Sequence, residues 1–445
     1  MNQKSPRQVH LETFGCQMNE YDSELVRSLL TRDGFIMTDD RERADVILMN
    51  TCAIRENAHN KVYTHLSDLR ALKRQRPLVV GVLGCMAQNL KEELAAKEPL
   101  VDVLAGPDAY RQLPMLIADA IESQEQGERR KGMAVDLSEY ETYDDVVPER
   151  RDGVNAWIAV MRGCDNFCSF CVVPYTRGRE RSREPEGIVA EARLAASQGF
   201  KQITLLGQNV NSYRSGDWDF ARLLVAVADV PGIERVRFTS PHPKDFPPAL
   251  LEAVLSHPRI CKHIHLPVQS GNDRILSLMN RTYTRAAYLT LVDQILAAGP
   301  GMVLTTDIIA GFCSESDAEF ADTYRLLEEV RYHAAFIFKY SERKNTIAAR
   351  KHPDDVSDAV KSERVTALVD LQRRISQERN RAYIGSTLPV LVEGDAKRSS
   401  LQGMGKSDGN ITVVWEKSSV SASPGQIIAL SIYDCSASTL YASAP

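Results

Sequence analysis

The sequence contains no run of about 18 apolar residues, so no membrane-spanning helix is expected. Its first residues, MNQKSP, lack the apolar stretch of a secretory signal peptide. Nine cysteines without such a signal indicate a reducing, cytoplasmic setting, in which thiols serve metal binding or catalysis rather than disulfides. The net charge of -5 gives no overall basic surface, so contact with nucleic acid would depend on local basic patches.

A chain of 445 residues is too long for one typical domain, and its pattern of apolar segments changes twice. We predict an α/β protein of three units. Residues 1–145 alternate strand and helix as in a doubly wound parallel-sheet domain that ends in a charged linker, 122–145. Residues 146–383 contain six βα units, which predicts a partial TIM-like barrel. Residues 384–445 have three short strands separated by Gly, Ser and Asp, which predicts a small antiparallel β-barrel.

Three cysteines, Cys164, Cys168 and Cys171, fall within eight residues, just after the first strand of the central unit. Thiolates prefer soft metals and iron–sulfur clusters. A structural zinc site usually needs a second pair of cysteines, and none follows in the neighbourhood. A four-iron cluster held by only three cysteines would leave one iron open to a substrate or cofactor. The spacing therefore favours a catalytic cluster at the carboxyl-end face of the barrel.

A second set, Cys16, Cys52 and Cys85, is spread over 70 residues, with one cysteine at the carboxyl end of each of three successive strands. Ligands bind at this edge in open parallel sheets, so the three thiols could converge on one crevice. The alternative is that they are three separate buried core cysteines, which are common in proteins. Topology alone leaves both readings open.

The CxxxCxxC spacing, with Phe170 before the third cysteine, resembles the signature of radical S-adenosylmethionine enzymes. Other segments resemble the methylthiotransferases of that superfamily. They include TFGCQMN at Thr13–Asn19, NTC at Asn50–Cys52, the Gly84–Cys85 pair, CVVPYTRGRE at Cys171–Glu180, GQNVNSY at Gly207–Tyr213 and HLPVQSG at His265–Gly271. The last three fit the branch that modifies prenylated adenosine in tRNA, and the final residues resemble the TRAM module of the family.

The resemblance implies two [4Fe-4S] clusters. One, on Cys164, Cys168 and Cys171, would chelate S-adenosyl-L-methionine and yield a 5′-deoxyadenosyl radical. The other, on Cys16, Cys52 and Cys85, would supply sulfur. The implied reaction transfers a methylthio group to C2 of N6-(dimethylallyl)adenosine next to the tRNA anticodon and consumes two S-adenosylmethionine molecules. The implied partners are a tRNA anticodon stem-loop and an electron donor such as flavodoxin or ferredoxin; we expect a monomer and no membrane association.

Two further readings remain open at this stage. Other methylthiotransferases act on threonylcarbamoyladenosine in tRNA or on a ribosomal-protein aspartate. A protein of a different class, a non-catalytic iron–sulfur RNA-binding protein, would also need cysteine trios. The identity of the modified nucleoside would distinguish the prenylated-adenosine branch from the other methylthiotransferases. Formation of a 5′-deoxyadenosyl radical would distinguish an enzyme from a non-catalytic binding protein.

Candidate cofactor contacts lie in the loops after the barrel strands: Gln208 and Asn209 after the second, Ser240 after the third and Gln269 after the fourth. Phe170 could cover a flat ring of S-adenosylmethionine. Alternatively, the four polar residues only form hydrogen bonds within their own loops, and Phe170 only closes the cysteine loop.

Four arginines alternate just past the cysteine loop: Arg177, Arg179, Arg181 and Arg183. On an extended segment, such spacing could direct their guanidinium groups toward RNA phosphates or a carboxylate. A solvated basic edge is the alternative. Residues 382–445 hold only four basic and five acidic side chains, so the final barrel alone would give RNA a weak electrostatic footprint.

Overall fold

The computed structural model describes residues 6–53, 56–151, 153–299 and 301–445, without the side chains of 56–60. The first unit is a parallel sheet with helices on both faces. Its elements are β1 (Gln8–Phe14), α1 (Gln17–Arg32), β2 (Ile36–Met37), β3 (Val46–Thr51), α2 (Glu56–Gln75), β4 (Val79–Gly84), α3 (Cys85–Lys97), β5 (Val103–Ala105), α4 (Leu113–Glu125) and β6 (Gly132–Ala134). Every residue of β3 and β4 is buried, as expected for inner strands that are covered on both faces.

The sheet has the strand order β2-β1-β3-β4-β5-β6, and every neighbouring pair is parallel. The strands β1, β3 and β4 are therefore adjacent, and their carboxyl ends meet at the same edge. The segment predicted as a linker contributes an edge strand to the sheet, because 132–134 pair with β5.

The second unit contains the predicted six parallel strands. Its elements are β7 (Asn155–Ala159), β8 (Met161–Arg162), α5 (Val173–Arg177), β9 (Arg181–Ser182), α6 (Pro185–Ser197), β10 (Gln202–Leu206), β11 (Arg214–Ser215), β12 (Trp218–Asp219), α7 (Phe220–Ala228), β13 (Arg235–Phe238), α8 (Pro248–Ser256), β14 (His263–His265), α9 (Asp273–Leu278), α10 (Arg285–Ala297), β15 (Val303–Ala310), α11 (Asp317–Val330), β16 (Ala334–Lys339), α12 (Ile347–Lys351) and α13 (Asp358–Arg381). The sheets β7-β10-β13 and β14-β15-β16 are joined through a bridge between Val236 and Ile260. Helix α1 of the first unit packs against β7.

The last unit is a closed barrel of five strands rather than the three predicted. They are β17 (Thr387–Ala396), β18 (Ser399–Ser407), β19 (Thr412–Glu416), β20 (Ile427–Cys435) and β21 (Thr439–Ser443). The predicted all-antiparallel pairing is wrong at one place, because β19 and β21 are parallel. Alternating strand directions can close only around an even number of strands, so a ring of five must contain a parallel pair.

The hydrophobic core follows this division of the chain. One buried cluster fills the central barrel, two lie on the faces of the N-terminal sheet, and one fills the final barrel. Within the described ranges, no helix is both long and apolar enough to cross a bilayer.

Candidate functional site

Cys16, Cys52 and Cys85 directly follow β1, β3 and β4, so the parallel register places them at one edge of the sheet. Hydrogen bonding with Cys52 is the largest of the effects that lower the pKa of Cys16, which falls to about 6. Gly15 has φ +141°, and a Cβ there would lie 2.6 Å from Cβ of Cys52. The structure therefore brings the trio to one edge of the sheet, and only a glycine at position 15 allows the chain to approach Cys52 so closely.

Sequence reasoning missed a buried amide network that orients Cys16. The side-chain oxygen of Asn19 accepts a hydrogen bond from Cys16 Sγ at 3.2 Å, while its Nδ2 donates to Asn50 Oδ1 at 3.2 Å. Nδ2 of Asn50 donates in turn to the Asn19 carbonyl and to Ser23 Oγ, each at 3.0 Å. Both asparagines stand inside motifs with the cysteines, two and three positions from them, and that spacing was the available signal.

The loop with Cys164, Cys168 and Cys171 is held by backbone hydrogen bonds. The amide of Cys164 donates to the Gly178 carbonyl at 3.1 Å, and that of Cys171 donates to Cys168 at 3.0 Å. Ser169 connects the loop to the end of α9, since its Oγ donates to the Leu278 carbonyl at 2.7 Å. These contacts give the three thiols a fixed backbone before any metal binds.

The thiols of this loop are embedded in the protein. Burial raises the pKa of Cys164 to about 12, and it also raises the pKa of Cys171. Because a metal ligand must be a thiolate, a bound cation or a nearby positive charge has to stabilise the ionised form.

Arg281 supplies such a charge, and sequence reasoning did not identify it. The side chain is buried, and its charge interacts with all three cysteines. Its guanidinium lies 6.0 Å from the ring centre of Phe170 and 5.8 Å from that of Tyr283. Nothing in the local sequence distinguishes Arg281 from other arginines, because only the tertiary structure carries it to the loop.

The residues present fit two iron–sulfur clusters. None of the nine cysteines, all of which lie in the described residues, forms a disulfide, and each trio presents three soft donors at the carboxyl edge of a sheet. Among the described residues, no three His, Cys, Asp or Glu side chains converge as they would on a single metal ion. The cysteines of a four-iron cluster bind different iron atoms, so they need not meet at one point.

The predicted cofactor contacts fall into two groups. Asn209 lines a cavity of about 380 Å³ that also includes Asp165 of the cysteine loop. The side-chain oxygens of Gln208 and Asn209 are buried and have no hydrogen-bond partner among the residues that the structure describes. Ser240 and Gln269 instead have left-handed backbone conformations, with φ of +59° and +71°, which are uncommon for residues other than glycine. The first two residues thus have hydrogen-bonding capacity that the fold leaves unused.

The expectation that four arginines extend toward RNA is wrong for three of them. Arg177, Arg181 and Arg183 are buried and form ion pairs with carboxylates inside the protein. Their partners are Asp22 at 2.7 Å, Asp108 at 3.0 Å and Glu191 at 2.7 Å, respectively. A buried charge requires such a partner, so these guanidinium groups are not free to bind phosphate. Only Arg179 is exposed, with 70% of its side-chain surface accessible.

Two family descriptions match the sequence: an uncharacterized protein family, UPF0004, over residues 8–106, and the radical SAM superfamily over residues 158–327. Each match contains one cysteine trio. Among solved structures, a radical S-adenosylmethionine methyltransferase, TsrM, from Kitasatospora setae is similar with a TM-score of 0.59 and 14% identity. The similarity covers 77% of each chain and supports the fold.

Full-length relatives define the family more narrowly. A tRNA-2-methylthio-N(6)-dimethylallyladenosine synthase of Porphyromonas gingivalis is 47% identical, over 98% of this chain and 95% of its own. The enzyme of the same name from Chloroherpeton thalassium is 46% identical, over 100% and 97% of the two chains. These names favour the prenylated-adenosine branch over the two other readings. The chain belongs to the radical S-adenosylmethionine methylthiotransferases, in the family of the tRNA-2-methylthio-N(6)-dimethylallyladenosine synthases.

Proposed function

We propose that this enzyme transfers a methylthio group to C2 of N6-(dimethylallyl)adenosine next to the tRNA anticodon. The supporting observation is the pair of cysteine trios, each at the carboxyl edge of its own sheet, in a chain that aligns along its length with enzymes named for this product. An aromatic C2–H bond resists ordinary acid–base catalysis, so the reaction needs cofactors rather than a side-chain base.

The two trios have different roles. Cys164, Cys168 and Cys171 hold the cluster that binds S-adenosylmethionine, and Cys16, Cys52 and Cys85 hold the auxiliary cluster. When bound, the first cluster supplies the electron that cleaves S-adenosylmethionine to a carbon radical, and the second supplies the sulfur. The protein's own task is to keep the two centres close to one target base while water is excluded.

Helix α5 supports this arrangement because it forms a wall between the two sites. It begins two residues after Cys171 and packs against α3, whose first residue is Cys85. Val172 is buried in a cluster with Cys85 and Ala53. One short helix therefore lies between the two trios, which supports their acting on the same nucleotide.

For S-adenosylmethionine, the cavity of about 380 Å³ beside the cysteine loop provides polar partners of both charges, including Glu180, Lys244 and Asp245. Gln208 and Asn209 would donate or accept hydrogen bonds there, and Ser240 and Gln269 would contribute from the neighbouring loops. Phe170, near Arg281, would pack against a flat ring.

For RNA, the exposed Arg179 belongs to a row of stacked groups on the rim of the cysteine loop. Its guanidinium lies 4.9 Å from the ring centre of Phe167, which is 6.2 Å from that of Tyr175. Arg350 completes the row, 5.6 Å from the Tyr175 ring. Alternating cations and aromatic rings are the groups that bind phosphates and unstacked bases, and an anticodon loop presents both.

The proposal also covers the location of the enzyme, its oligomeric state, its electron donor and its domain boundaries. The enzyme works as a cytoplasmic monomer and accepts electrons from a flavodoxin or ferredoxin. Domain boundaries fall near residues 145 and 383, so the auxiliary site, the radical site and the TRAM-like barrel occupy separate domains.

The test is the nucleoside profile of tRNA from cells with and without the gene. Loss of the methylthio group from prenylated adenosine on deletion, and its return on complementation, is the expected result; its retention in the deletion strain would contradict the proposal. Anaerobic reconstitution should load about eight irons per chain, four in each cluster. Release of 5′-deoxyadenosine on reduction should accompany product formation.

A further inference from the structure

Arg177 is the last residue of α5 and is only 3% exposed, deep between the first and second units. Nη2 donates to Asp22 Oδ2 at 2.7 Å. The other carboxylate oxygen of Asp22 accepts from Arg162 at 2.8 Å. The second terminal nitrogen of Arg177, Nη1, is buried and has no partner among the described residues. Leaving such a donor unsatisfied is costly, so a ligand is expected there.

The local charge count supports the same conclusion. Three buried guanidinium groups (Arg162, Arg177 and Arg181) share two buried carboxylates, Asp22 and Asp108. The hydroxyl of Tyr110 also donates to Asp22 at 3.2 Å, and burial keeps this phenol protonated by raising its pKa. Positive charges exceed negative ones by one among these five side chains, and thiolates or a bound anion at the neighbouring cysteines would balance the excess.

The position of the excess charge identifies where the anion would bind. Helix α5 packs against α3, whose first residue is Cys85, and Asp22, the partner of Arg177, lies on α1, which begins one residue after Cys16. Val172, the residue before α5, is buried in one cluster with Cys85. Arg177 thus lies beside two cysteines of the auxiliary site, on the side from which α5 approaches them.

We propose that Arg177 is a positioning residue that binds an anionic sulfur ligand, sulfide or an alkylthiolate, at the auxiliary site. The inference rests on the proposed role of Cys16, Cys52 and Cys85. The free N–H of Arg177 donates to the sulfur anion, and the guanidinium stays charged in the interior because its intrinsic pKa is so high. Asp22, held in place by Arg162, fixes the orientation of the donor.

The experiment uses full-length protein in which Cys164, Cys168 and Cys171 are replaced by alanine, so that only the auxiliary site is loaded after anaerobic reconstitution. Methanethiolate is titrated into the reduced protein, and its binding is followed by the change in the electron paramagnetic resonance spectrum. In this background we expect Arg177→Met to weaken binding at least about tenfold, the loss of one charge-assisted hydrogen bond. Arg177→Lys, which retains the charge, should be less affected.

Arg193→Met is the control, since it removes an exposed arginine of α6 that has no assigned role in the site, and it should leave the affinity for methanethiolate unchanged. Equal affinity in the background protein and in Arg177→Met would overturn the inference. So would loss of iron from both Arg177→Met and Arg177→Gln, because Arg177 would then serve cluster assembly. Failure of the proposed function gives a different result: the background protein itself would not load about four irons, or would load them equally after Cys16→Ala.

Discussion

Asp22 and Arg162 form a fully buried ion pair, with Arg162 Nη2 and Asp22 Oδ1 2.8 Å apart. Asp22 lies on α1 beside the auxiliary cysteines, and Arg162 lies on β8, two residues before Cys164. The pair therefore links α1, which begins just after Cys16, to β8, which ends two residues before Cys164. Burial raises the pKa of Asp22, but the two arginines outweigh it, so the net pKa is lowered and the carboxylate stays ionised.

Asp22→Asn is expected to lower the free energy of unfolding by about 3–5 kcal/mol, because two buried guanidinium groups lose their counter-charge. Denaturant titration of the metal-free protein measures this change. Asp39→Asn, which breaks an exposed pair with Arg151, is the control and should have little effect. Equal stability of the two variants would show that the buried pair does not hold the units together.

Cys168→Ala is expected to abolish formation of 5′-deoxyadenosine, because the radical site loses one of its three thiolates. Cys52→Ala should keep some radical formation but yield no methylthiolated RNA. Chromatography of the nucleoside products of both variants, incubated with S-adenosylmethionine and a reductant, measures the two activities. If both variants still made methylthiolated RNA, the division of labour between the trios would be wrong.

Two glycine substitutions should remove the clusters selectively. At Gly163, with φ +81°, a Cβ would lie 1.9 Å from the Arg179 carbonyl oxygen, whereas at Gly15 it would collide with Cys52. We expect Gly163→Ala to lose the radical cluster and Gly15→Ala to lose the auxiliary one, so each retains about half the iron after reconstitution. Gly187→Ala, where the nearest group is 3.7 Å away, should retain all of it. Full iron content in either of the first two variants would contradict the prediction.

Arg179→Glu should weaken binding of the anticodon stem-loop and reduce its salt dependence, because one phosphate contact is lost. Filter binding at several salt concentrations measures both quantities. Arg193→Glu, an equally drastic change on the exposed side of α6, is the control. Identical affinities of the two variants would place the RNA elsewhere on the surface.

The stability of the protein should fall as the pH falls from about 6.5 to about 4, with His333 as one cause. Burial lowers the pKa of His333 to about 4, and its Nδ1 accepts a hydrogen bond from the Leu304 amide, which requires the neutral ring. Over this range the unfolded chain takes up a proton that the folded chain does not, so acid favours unfolding. The stability of His333→Gln should depend less on pH, by up to about 3 kcal/mol between about pH 6.5 and about pH 4, in denaturant titrations at fixed pH. An unchanged pH dependence would show that other groups account for the acid sensitivity.

The chain's local pattern was sufficient to predict the parallel sheets. Apolar runs such as 46–51 and 79–84 are buried on both faces, and the cysteines that follow them reach one edge because parallel strands end together. The local pattern did not predict β18, because its sequence, SSLQGMGKS, is too polar and too rich in glycine to indicate a strand. That strand exists because both its neighbours in the closed barrel pair with it.

The sequence by itself determined the two sets of sulfur donors, since ligand type and spacing are local properties of a chain. It did not determine which charged groups surround them. Arg177, Arg181 and Arg183 look like a basic edge in the sequence, yet the fold turns them into interior ion pairs. Their partners are Asp22 of α1, Asp108 after β5 and Glu191 of α6. The energy of a charge depends on its burial and its partners, and residues distant in the chain supply both only in the folded state.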